Sequence, residues 1–107
     1  MWIFTTAGFL SIVQHMGIPT HFQVKARTPE PLERFWPEHD IEAIGWADYR
    51  YRITIPKEEV VPVITEIIRS VGYTSFKSQC ENDDDYHRAL VRIWSVMHNY
   101  QRGFEGA

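Results

Sequence analysis

Four cationic side chains stand at alternating positions in two short stretches of the chain, Lys25 and Arg27 in the first and Arg50 and Arg52 in the second. If both stretches are strands, period-two alternation puts the four on one sheet face together with His21, Gln23 and Thr54. Such a face is a candidate anion site for phosphate, nucleotide or RNA, because arginine offers planar, bidentate donors. The plainer account is a solvated face covered by long charged side chains. Asp48 falls in the same alternating set, and neither a glycine-rich phosphate loop nor an RNA-binding aromatic run accompanies the cations.

The second candidate is apolar. On a helical wheel Tyr86, Leu90, Ile93, Trp94, Val96, Met97 and Tyr100 fall in one broad arc that Val91 extends, while Arg88, Arg92, Ser95, Asn99 and Arg102 form the polar stripe. An arc wider than half the circumference exceeds what a helix lying on one side of a sheet needs. Burial within its own chain is the plain explanation. The sharper one is a self-association or partner surface built around Trp94, Met97 and Tyr100, residue types suited to interface anchors.

Other residues with chemical potential lead to no expected catalytic residue, metal or cofactor. His87 and His98 are eleven residues apart, about 16 Å along a helix, too far to share an ion held by bonds of about 2 Å. A metal site would need His15, His21 or His39 to converge through the fold. Cys80 follows Phe76 by four residues on an expected inner face, which suits an inert core thiol better than a nucleophile. The acidic run Glu81 to Asp85 lacks the glycine and spaced ligands of a calcium loop and reads as the start of a helix.

Composition narrows the classes further. Lys plus Arg number 11 against 14 Asp plus Glu, a net charge of −3, which excludes a generally basic nucleic-acid binder but leaves room for a local patch. The single cysteine excludes an internal disulfide framework and favours a reducing, cytoplasmic compartment. No apolar run reaches about 18 residues, so no membrane partner is expected. The first 24 residues hold no Asp, Glu, Lys or Arg, yet they lack the charged start of a signal peptide and are interrupted by polar side chains.

These residues need elements to position them. Trp2 to Thr6 and Phe9 to His15 read as strands joined by a turn at Ala7-Gly8, where Gly8 is able to take a positive φ. His21 to Thr28 and Tyr49 to Ile55 alternate as half-buried strands. Thr28-Pro29-Glu30 has the order of an N-cap, a first-position proline and an acid, opening a short helix through Leu32, Phe35 and Trp36 that Pro37 ends. From Pro56 to Val71 one arc collects Val60, Val61, Val63, Ile64, Ile67, Ile68 and Val71, a helix packed on the sheet, with Pro62 and the β-branched residues counting against it and Gly72 as its stop. Thr74 to Glu81 suggests a short helix. Asn82 reads as the cap and Asp83, Asp84 and Asp85 as the acidic first turn of a long one that ends at Gly103, leaving residues 104–107 as a loose tail.

The opening Met1-Trp2-Ile3-Phe4-Thr5-Thr6-Ala7-Gly8-Phe9-Leu10-Ser11-Ile12-Val13, the Tyr-x-Tyr-Arg of Tyr49 to Arg52, and the closing Tyr86-His87-Arg88-Ala89-Leu90 with Trp94-Ser95-Val96-Met97 resemble a group of small bacterial proteins in which these stretches recur in order. The resemblance covers most of the chain. It implies a stand-alone cytoplasmic domain of bacterial or cyanobacterial type and attaches no activity, cofactor or catalytic residue to any position.

The expected architecture is therefore a single α+β domain over residues 1–103, with a mainly antiparallel four-stranded sheet, helices packed on one face and a long C-terminal helix. The leading functional expectation is a non-enzymatic protein-interaction module, with a homodimer as one form, whose contact is the last helix. The alternative is a small anion- or nucleic-acid-binding domain using Lys25, Arg27, Arg50 and Arg52.

Overall fold

In the computed structural model, which describes residues 1–106, the first elements are the strands β1 (Trp2–Thr5), β2 (Gly8–Gln14) and β3 (His21–Ala26). The helix α1 (Glu30–Phe35), a two-residue strand β4 (Glu42–Ala43), the strand β5 (Tyr51–Pro56) and the helix α2 (Lys57–Arg69) follow. The helices α3 (Phe76–Gln79) and α4 (Asp84–Glu105) complete the chain. The described residues form two compact units, residues 1–71 and residues 72–106.

The first unit is an antiparallel sheet of five strands in the order β1-β2-β3-β5-β4. The expected number was four. The missed strand is β4, whose two residues are too few to show any periodicity; Glu42 and Ala43 pair with Arg52 and Tyr51 at the edge of β5. Alternation places Leu10, Ile12, Val24, Ala26, Ile53 and Ile55 on one face, where they form the core with Leu32 and Trp36 of the α1 region and Val60 of α2. Trp36 donates its indole N–H to the Glu59 carbonyl at 3.2 Å, joining the end of α1 to α2.

The β1–β2 turn occupies Thr6-Ala7, one residue earlier than expected. Gly8 opens β2 with φ 142°, a backbone state open to glycine and strained for other residues. Thr5 Oγ1 donates to the Gly8 carbonyl at 2.7 Å and accepts from the Ala7 and Gly8 N–H groups at 3.1 Å. The turn is thus closed by a buried hydroxyl that meets three backbone groups.

Helix starts and stops differ from the sequence expectations in a consistent way. Pro29, not Thr28, is the N-cap residue of α1, and no side chain caps it. Pro62 lies inside α2, and its missing N–H leaves the Glu58 carbonyl without its helical donor on the exposed side of the helix. Of the apolar arc of α2, Val60 is buried and Val63, Ile64 and Ile67 are half-buried, while Val61, Ile68 and the trailing Val71 are exposed. α2 ends at Arg69 with Ser70 as C-cap, so Gly72 is not its stop. α4 is capped by Asp83, one residue after the expected Asn82; the Asp83 Oδ1 accepts from the Tyr86 N–H at 3.1 Å, and the helix runs through Gly103 to Glu105. Gly103 keeps a negative φ and continues the helix, so Phe104 and Glu105 are helical and not part of a loose tail; residue 107 lies outside the described residues.

Candidate functional site

Ser75, Asp83 and a spacing of four residues build the second unit. The Ser75 side chain caps α3, four residues long, and Asp83 caps α4, twenty-two residues long. At 1.5 Å per residue α4 extends about 33 Å and α3 only about 6 Å, so α3 contacts a small part of its length. There Cys80 and Leu90 are buried and Tyr73, Phe76 and Tyr86 are half-buried. Burial pushes the Cys80 thiol above its ordinary 9.0, and Asp83 adds to the shift. Tyr86 is held well above its ordinary 10.0, first by burial and then by Cys80, Asp83 and Tyr73. Both groups are therefore neutral in the fold at neutral pH, and Cys80 has the character of a packing residue.

Beyond α3 the helix keeps its apolar pattern. Tyr86, Leu90, Ile93, Met97, Tyr100 and Phe104 are spaced 4, 3, 4, 3 and 4 apart, a heptad seam of alternating a and d positions. Along it the exposed fraction climbs from 5% at Leu90 through 37% at Ile93, 57% at Met97 and 73% at Tyr100 to 80% at Phe104. Trp94 and Val96 flank the bare part and are exposed too. Trp94 stacks on the His98 ring at 4.9 Å with 8° between planes, and the Lys77 ammonium of α3 lies 4.6 Å from its centroid. Trp94, Met97, His98, Tyr100, Gln101 and Phe104 line a shallow concavity on this surface. Within this unit α3 therefore leaves Trp94, Met97 and Tyr100 exposed. Phe104 was missed because Gly103 reads as a helix stop, although it continues the same spacing.

β3 ends at Ala26 and β5 begins at Tyr51, so of the four cations Lys25 and Arg52 lie within strands, while Arg27 and Arg50, expected within them, fall just outside. Lys25 and Arg52 are direct cross-strand partners on the face opposite the core. Arg27 pairs with Asp48 at 3.3 Å and stacks on the Tyr49 ring, 4.4 Å from its centroid, while Arg52 donates to the Tyr49 carbonyl at 2.9 Å. Arg50, two residues before Arg52, is exposed.

The histidines go to separate structural tasks. His15 Nδ1 accepts from the Gly17 and Ile18 N–H groups at 3.0 and 3.1 Å. His21 meets the Thr20 hydroxyl at 2.9 Å, and His39 meets Glu59 at 3.1 Å. Among the described residues no group of three metal-ligating side chains forms, and no helix is long and apolar enough to cross a membrane.

Comparison with protein-family models, with curated proteins and with solved structures finds no match to this chain. The functional reading therefore rests on the geometry of α4 and of the sheet.

Proposed function

We propose that the chain is a non-enzymatic interaction module that forms a homodimer through α4, two copies of the helix packing antiparallel along the bare part of the seam. The observation that carries this is the steady rise in exposure from Leu90 to Phe104 along an unbroken heptad pattern. Three turns of seam continue past the reach of α3. Fully burying an exposed apolar side chain gains about 1.5–3 kcal/mol, and Phe104, Tyr100 and Met97, each more than half exposed, retain much of that drive.

The pattern fits a second copy of itself. In an antiparallel pair a positions meet d positions, so Ile93 lies opposite Phe104 and Met97 opposite Tyr100, with the same pairs repeated in reverse. Each layer sets a smaller side chain against an aromatic one. The flanking positions hold Trp94, Val96, Gln101 and Gly103, none of them charged, so equivalent flanks meet without repulsion; Arg88, Arg92 and Arg102 stay on the polar stripe. Antiparallel alignment also opposes the two helix dipoles.

Cysteine pairing tests the arrangement in the full chain carrying Cys80→Ser. Ile93→Cys mixed with Phe104→Cys is expected to form a disulfide between copies under mild oxidation. Ile93→Cys alone is expected not to, because its two equivalents stand about 16 Å apart along the axis. Pairing of Ile93→Cys with itself would mean a parallel arrangement, and no pairing in the mixture would mean that α4 is not the contact.

A further inference from the structure

The face of the sheet away from the core is half aromatic and half basic. On β1 and β2, Trp2, Phe4 and Phe9 are in contact: the Trp2 and Phe9 rings meet edge-on at 5.5 Å, and Phe4 lies 4.7 Å from Phe9. Phe9 continues to Tyr49 at 6.2 Å. Strand pairing links this half to the cations, since Trp2 opposes Ser11, Ser11 opposes Lys25, and Lys25 opposes Arg52. Trp2 is 68% exposed and carries the largest π-face of the four.

The two sides of this unit differ in charge balance, although Arg34 of α1 and Lys57 and Arg69 of α2 stand among the acids of the helices. Lys25, Arg27, Arg50 and Arg52 are gathered on or beside the face away from α1 and α2, with Glu42 and Asp48 as the nearby carboxylates. Glu30 and Glu33 of α1 and Glu58, Glu59 and Glu66 of α2 belong to the side that carries the helices. An acidic chain thus presents one surface that attracts anions.

We infer that this face binds single-stranded nucleic acid, with bases stacking on Trp2 and Phe9 and the backbone phosphates paired to Lys25, Arg50 and Arg52. The combination selects that ligand. A simple anion has no use for an aromatic row, and an apolar partner has no use for the cations beside it. β1 and β3 are two strand spacings apart, about 10 Å, close to the span from a stacked base to a neighbouring phosphate. A duplex hides its base faces inside the stack and engages the cations alone.

The test is fluorescence anisotropy of the full chain with a labelled single-stranded oligonucleotide, at about 50 mM and about 200 mM salt. Trp2→Ala is expected to weaken binding about 5- to 150-fold, the equivalent of one lost stacked base at about 1–3 kcal/mol. Lys25→Gln is expected to weaken binding and flatten the salt dependence by about 0.7 of a logarithmic unit per logarithmic unit of salt. Equal affinity for a duplex, undiminished binding after both substitutions in proteins that keep their circular dichroism, or no binding at low salt would each overturn the assignment. Binding to anionic vesicles with none to the oligonucleotide would transfer the face to a membrane and overturn it as well.

Discussion

Gly8 has two reasons to be glycine. Its φ of 142° strains any side chain, and a Cβ there meets Pro31 Cγ at 3.0 Å and Cδ at 3.1 Å. Gly8→Ala is expected to cost about 1–3 kcal/mol in urea denaturation. Gly72→Ala, at a position with open space around the added methyl, is expected to change stability by less than about 0.5 kcal/mol. A positive φ at Gly8 was legible from its place in the expected Ala7-Gly8 turn, but the Pro31 contact depends on where α1 packs and has no local signal. Cys80 and Tyr86 give a pH dependence. Both are raised above their ordinary values of 9.0 and 10.0, so the fold favours their neutral forms. The stability they contribute is complete below the ordinary values and is lost as pH climbs through them toward the folded-state values. Denaturation midpoints are expected to fall above about pH 9, and Tyr86→Phe is expected to flatten that fall. An unchanged slope in Tyr86→Phe would show that Tyr86 is not the group responsible.

At the scale of elements, legibility follows the number of periods an element contains. β3 and β5 each show three apolar and polar alternations, and the sheet register sets Lys25 beside Arg52 as that alternation requires. β4 has two residues and no period at all. The aromatic row was hidden for a different reason: Trp2, Phe4 and Phe9 belong to two strands, and only the β1–β2 register puts them on one face. Helix ends were the least legible, because a glycine that fits a left-handed stop also fits a helix, and the choice at Gly103 is made by the continuing seam. The cap of α4 has a direct check. Asp83→Ala removes the acceptor of the Tyr86 N–H and is expected to cost about 1 kcal/mol, read as a lower thermal midpoint of the helical signal. An unchanged midpoint would mean that Asp84 or Asp85 takes over the task.

At the scale of the whole molecule the leading feature is the apolar surface of α4 that α3 leaves uncovered. Its seam repeats every seven residues, its flanks are uncharged, and its aromatic residues grow more exposed toward the end of α4. A monomer rarely tolerates a contiguous patch of this kind. The wheel of α4 was plain in the sequence, and what the sequence lacked was the length of α3, because a four-residue helix determines how much of the seam is covered. Sedimentation equilibrium of the full chain over a wide concentration range, beside Met97→Asp, tests the account most directly. The wild type is expected to have the mass of two chains, and Met97→Asp, with a carboxylate in the central layer, is expected to sediment as one chain with its helical circular dichroism retained. A wild type that stays a single chain at the highest concentrations, or a Met97→Asp variant that still dimerises, would contradict it.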